Sequence, residues 1–338
     1  MTVLIVFLII VAISIILAVH ELGHFLIAKL FGIKVEEFGI GFPPKIIGRK
    51  FKGTLYTLNA VPFGAMVKIE TGTPEDKNSF SGKPIRVRVA VMLGGILFNL
   101  ILGWLIMSSV FMVGAKEGGI FIAEVSPNSP AVIAGIKPND KIIGYSNIDD
   151  FQKFVSNNLD QKIELNIQRG NQKINLEVTP RKVHPADEGA LGVALVKSEA
   201  IPKQNFFQAL ANGFKFTINI FCQIFLFLFY LIKSAFSGVS VLPLLSGPVG
   251  AVKIGADFAY LGITYVLRIL ALISINLAAF NLIPFPALDG GRLWFFLIEK
   301  IRKSPLTQKT QNIVDSLGFS LLIILSIIIM VKDIKGLF

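Results

Sequence analysis

Four stretches of this chain, residues 3–30, 89–113, 265–284 and 313–331, are apolar over lengths that suffice to cross about 30 Å of hydrocarbon, which takes roughly 20 helical residues. Inside lipid every backbone amide must be bonded within the protein, so such segments are restricted to helices. The first carries no charge before His20, and the only strongly polar member of the second is Asn99. The third has Arg268 near one end and Asn276 and Asn281 within it. The first segment lacks an early basic region and leads into "HELGH" rather than a small-residue cleavage site, so it reads as a retained span and not a signal peptide.

Composition agrees with a membrane protein. Of 338 residues, 53% are hydrophobic and 16% charged, with a mean hydropathy of +0.67; soluble domains carry about a quarter charged residues. The net charge of +11 would suit either nucleic acid or positive loops beside a bilayer. Its distribution decides for the bilayer and against nucleic acid. Residues 32–88 hold ten Lys or Arg against five acids, which places that loop in the cytoplasm. The link bearing Arg292, Lys300, Arg302, Lys303 and Lys309 reads as cytoplasmic too, whereas residues 115–205, with eleven charges of each sign, face outside. The lone cysteine, Cys222, excludes an internal disulfide and a cysteine zinc site.

Residues 214–236 are apolar as well, but Lys215, Asn219 and Gln223 recur every four residues and form a polar stripe on a helix. Such a helix can lie along the interface. If it crossed, the loop at residues 292–309 would emerge outside, against its charge. Four crossings and one interfacial helix are therefore expected. Between the second and third spans, residues 115–183 show short alternating strands, a helix start at Ser129, a "GIKPNDKI" turn and a helical "IDDFQKFVSNN". This pattern resembles a PDZ domain of the permuted bacterial kind, a fold that binds an extended peptide or chain terminus at a sheet edge.

"AVHELGHFLIAKLFG" places two histidines and a glutamate inside an apolar helix, where ionisable groups are costly and usually functional. His20 and His24 are four apart, so they share one helix face and can meet one metal ion, with Glu21 beside them as a general base. A catalytic zinc takes three protein ligands and keeps an open position for a water that it acidifies. The third ligand is expected in "NLIPFPALDGGR", where Pro284 and Pro286 break the helix and Asp289 can turn toward the metal. His184 lies on the other side and reads as a surface histidine.

H-E-x-x-H in the first span, N-x-x-P-x-P-x-L-D-G in the third and a PDZ-like domain between the second and third together resemble the site-2 protease family. These are intramembrane zinc metalloproteases, and the likeness is to the bacterial regulator-of-sigma-E type. The resemblance implies a membrane α-helical fold of about four transmembrane helices, a cytoplasmic loop with a membrane-associated β-hairpin and one inserted PDZ-like α+β domain. It also implies Zn2+ held by His20, His24 and Asp289, Glu21 as base, and Asn276, Asn281, Pro284 and Pro286 shaping the substrate-binding face. "RVRVAVMLGGILFN" resembles the family's second-span motif, with Gly95 and Asn99 in place and Ile96 where proline is usual, which puts Asn99 near the cleft. Gly94 and Gly95 also suit close helix packing.

The implied substrates are single-span proteins, such as anti-sigma factors or remnant signal peptides, cut within a bacterial inner membrane. The expected boundaries are 1–31, 89–114, 263–290 and 313–332 for the spans, 32–88 and 291–312 for the cytoplasmic loops, 115–183 for the PDZ-like domain and 184–262 for a linker with the interfacial helix. The competing readings are a non-catalytic PDZ-bearing membrane scaffold with a structural metal, which has no use for Glu21, and a transporter. A transporter would show inverted repeats, and none is visible.

Overall fold

The computed structural model describes residues 2–73, 75–114, 118–170, 172–185, 188–198, 200–237, 247, 250, 263–304 and 306–335. The chain divides into two compact units, one built mainly of long helices and the other centred on Ser109–Ala209. In the first unit, α1 (Thr2–Leu30) runs through the whole uncharged segment. At 1.5 Å per residue its 29 residues extend roughly 43 Å. It stops where Gly32 takes a left-handed φ of +66, so that the amide of Ile33 reaches the carbonyl of Ala28 and that of Gly32 reaches Lys29. These two bonds satisfy carbonyls that the helix end would otherwise leave open.

The loop expected to lie in the cytoplasm and to carry a hairpin forms β1 (Val35–Phe51) and β2 (Thr54–Ile69), which pair antiparallel. Both strands fold back along their length. Glu37 to Ile40 therefore take partners twice, from Lys68 to Ala65 and from Leu55 to Leu58. α2 (Ile85–Val113) begins four residues before the apolar run expected for it. It packs backbone to backbone on α1, since a Cβ at Gly23 would stand 2.3 Å from the carbonyl oxygen of Gly94. The small residues thus serve the close helix approach that their spacing suggested.

The second unit holds β3 (Gly119–Val125), α3 (Pro130–Ile133), β4 (Lys141–Ile142), α4 (Ile148–Asn157), β5 (Ile163–Arg169), β6 (Gln172–Val178) and β7 (Val193–Ser198). The strands form one antiparallel sheet in the order β6-β5-β4-β3-β7. Ile120, Ile122, Phe151, Ile163, Leu165 and Val178 make its core. Ser129 caps α3, accepting from the amide of Val132, and the buried Asp140 accepts two bonds from Arg169 and one from the amide of Lys137. The sheet runs past residue 183, where the sequence placed the start of a linker. β7 is only six residues long, and what makes it a strand is its pairing with the distant β3.

The remaining helices lie in the first unit apart from the opening residues of α5 and α6: α5 (Phe206–Phe236), α6 (Ile263–Leu282), α7 (Asp289–Arg302) and α8 (Gln308–Lys335). α5 joins α2 through a bond from Trp104 Nε1 to the carbonyl of Leu210 and a ring contact between Trp104 and Phe214. Among the described residues five helices are long and apolar enough to cross a membrane, α5 included, against the four crossings and one interfacial helix expected from the charges. α6 ends at Leu282, ahead of Pro284. Asp289 therefore does not extend the third span, as the boundary at residue 290 supposed, but opens α7 after an irregular link.

Phe151 is 1% exposed at the centre of the second unit. Phe151→Ala should lower the unfolding free energy of that unit by about 3–5 kcal/mol. Pulse proteolysis of the full chain over a urea gradient measures this, and an unshifted midpoint would contradict the core as described.

Candidate metal centre

One turn of α1 separates His20 from His24, and both rings are buried. Their Nε2 atoms stand 3.2 Å apart. Asp289 Oδ2 lies 3.0 Å from Nε2 of His20 and 3.1 Å from Nε2 of His24. These are the three side chains that, among the described residues, could jointly hold a metal ion. Tetrahedral ligands at about 2.0–2.1 Å from zinc stand roughly 3.3 Å from one another, so this triangle has nearly the size that one zinc ion demands. The chemistry of the atoms agrees. Asp289 Oδ2 is buried and has no hydrogen-bond partner of proper direction, so the imidazoles approach it at contact distance without satisfying it.

The loop that delivers Asp289 is shaped by its neighbours. A Cβ at Gly290 would stand 2.1 Å from the carbonyl oxygen of Ile283, and one at Gly291 would stand 2.3 Å from that of Phe285. Two glycines after the aspartate let the start of α7 fold tightly over the end of α6. From the other side, Gly318 of α8 meets Pro286, since a Cβ at Gly318 would stand 2.5 Å from the proline's Cβ. Asp289 occupies the first turn of α7, where the helix dipole favours a carboxylate.

Three positions on one stripe of α2 face the histidine pair. Val91 accepts from Nδ1 of His24 at 2.8 Å through its carbonyl. Asn99, fully buried, places Nδ2 3.2 Å from Nδ1 of His20. Between them Gly95 leaves space, since a Cβ there would stand 2.5 Å from Nε2 of His24 and 2.7 Å from Cε1 of His20. Glu21 and His24 line a cavity of about 330 Å3 together with Val67, Lys68, Asp289 and Arg292, and the backbone of Val67 bonds the Glu21 carboxylate.

The structure thus brings together His20, Glu21, His24 and Asp289, with Asn99 against the first histidine. Asn276, Asn281, Pro284 and Pro286 do not line this cavity. Asn276 bonds back to the carbonyl of Leu272, Asn281 is buried in α6, and the prolines lie in the link before Asp289. Lys68, Thr71 and Arg292 line the cavity without having been singled out in the sequence. Only Arg292 carried a signal, one helical turn beyond Asp289. His184 is exposed in the second unit, as expected.

Two buried imidazoles, a convergent carboxylate and an adjacent glutamate, set among helices of membrane-spanning length, define a membrane-embedded metallopeptidase. Residues 8–325 match the model of Peptidase family M50. A relative from Clostridium perfringens, named as a zinc metalloprotease, is 35% identical over 332 residues and is covered to 96%, as is this chain. Another of like name from Clostridium acetobutylicum is 30% identical, again with 96% of each covered. A protein of Enterococcus faecalis named as the protease eep is 28% identical, with 97% of this chain and 98% of its own covered. The chain belongs to peptidase family M50, and it is a zinc metalloprotease.

Gly95→Ala should drive the histidines off their positions and weaken zinc binding at least about tenfold, in the range seen when the surroundings of metal ligands are disturbed. Metal analysis of the purified full chain after dialysis against a weak chelator measures this. Zinc retained at the wild-type level would show that the imidazoles do not need the space.

Proposed function

We propose that this chain cleaves peptide bonds within transmembrane segments of other membrane proteins. In this reading His20, His24 and Asp289 hold the zinc and Glu21 is the general base. The observation that carries it is the convergence of the three donor atoms within about 3 Å on helices suited to lipid. When bound, zinc supplies a Lewis acid for the scissile carbonyl and for the attacking water. Glu21, adjoining the ligands in the same cavity, accepts that water's proton and returns it to the leaving amine. Lys68, Thr71 and Arg292 give the cavity a polar wall through which water can enter.

A transmembrane substrate hides its carbonyls in helical hydrogen bonds and must unwind before attack. The Ala65 to Ile69 end of β2 pairs with β1, and Val67, Lys68 and Ile69 face the catalytic cavity. An unwound substrate added there as a strand would have its amides satisfied. Asn276, Asn281, Pro284 and Pro286 shape the substrate-binding face, the prolines by breaking the helix in the link before Asp289. The second unit is a PDZ-like domain on the outer side of a bacterial inner membrane. Phe151, Val155, Leu191 and Leu195 line an apolar groove in it, and β7 is an edge strand, which suits capture of a peptide or chain terminus. α5 lies along the interface, its polar stripe toward water.

Glu21→Gln should keep zinc at the wild-type level and slow cleavage of a labelled single-span peptide by about 10²–10⁴-fold. His20→Ala and Asp289→Ala should lose zinc and cleavage together. A Glu21→Gln protein that cleaves at the wild-type rate would leave a scaffold with a structural metal as the better reading.

A further inference from the structure

The two histidines are held at Nδ1 by different kinds of partner. For His24 it is the carbonyl of Val91, which can only accept, so Nδ1 carries the proton and Nε2 keeps its lone pair. For His20 it is a carboxamide, which can donate or accept. If Asn99 donates through Nδ2, Nδ1 of His20 is the acceptor and the ring proton moves to Nε2. That is the atom 3.2 Å from Nε2 of His24 and 3.0 Å from Asp289 Oδ2, where a metal needs a lone pair. In that orientation Asn99 Oδ1 is also buried with no partner. A half-turn of the carboxamide brings Oδ1 against Nδ1–H of His20 and frees Nε2 for the metal.

We infer that Asn99 is a positioning residue for the zinc site, its Oδ1 accepting from Nδ1–H of His20 and so fixing that ring's tautomer and direction. The inference rests on His20 being a zinc ligand. The surroundings suit the task. Asn99 and Ser274 are both fully buried, and the Ser274 hydroxyl donates to the backbone carbonyl of Asn99 at 2.8 Å, bracing α2 from α6. Val91, Gly95 and Asn99 recur at every fourth residue, so one stripe of α2 provides an acceptor, a space and an acceptor for the pair on α1. A neutral acceptor does this without leaving a charge in an apolar bundle.

Zinc affinity of the full chain in detergent, measured by competition with a chelating dye, distinguishes the two orientations without reference to catalysis. Asn99→Leu, which fills similar space with no acceptor, should weaken zinc about 10–100-fold. Asn99→Asp, which can only accept, should stay within about threefold of wild type, as in the carboxylate–histidine–zinc arrangement. Wild-type affinity in Asn99→Leu would overturn the inference. So would a loss in Asn99→Asp as large as in Asn99→Leu, since a donor, which neither variant supplies, would then be what His20 requires. If Asn99→Leu does not fold, Asn99→Asp alone decides. A wild-type chain that binds zinc no better than His20→Ala would instead refute the ligand assignment.

Discussion

Three electron-rich atoms, two imidazole nitrogens and a carboxylate oxygen, are crowded to contact distance inside a bundle that offers them little water. Without a cation this is an expensive arrangement, because buried polar groups need partners. The packing around it gains sense as the means of holding those atoms where one ion can serve all three. α1 contributes two imidazoles because a helix repeats a face every fourth residue. α2 lies close enough to orient them only because glycine replaces side chains at the crossing. The link between α6 and α7 delivers the carboxylate of Asp289 at the start of α7.

The same economy extends to the reaction. Glu21 needs no separate element to bring it to the site, since it follows His20 on α1, and the backbone of Val67 fixes its carboxylate. That bond connects Glu21 to the strand end beside the cavity. The polar lining from Lys68, Thr71 and Arg292 opens a region otherwise enclosed by apolar side chains. Cleavage at membrane depth, as proposed, would have to reconcile a dry environment for the substrate with water for hydrolysis, and a small polar chamber within a greasy bundle suits both needs.

Much of this was legible in the residues themselves. "HELGH" in an uncharged run states its chemistry because helical spacing is local and lipid makes charged groups scarce. Asp289 could be singled out because two prolines and two glycines mark an irregular link. What escaped depends on contacts between distant segments. The carbonyl of Val91 has no signature in any side chain. Gly95 pointed to helix packing, but its place between two imidazoles depends on the register of α2 against α1. The apolar run placed the end of the third span near residue 284, and the boundary at residue 290 followed only from counting the L-D-G motif with that span; the helix ends at Leu282. β7 was passed over because it is a strand by virtue of its neighbour.

The three donor atoms come from opposite ends of the polypeptide, two from its first helix and one from α7. An ion shared among them closes a loop that contains most of the chain, the kind of closure that restricts an unfolded chain most. Zinc would thus be a topological tie as well as a reagent. A cell short of the metal would leave that loop unclosed, and α7 would then be held by Phe296 in the core it shares with Phe25 and Ala28 of α1 and by the Arg88–Glu299 ion pair.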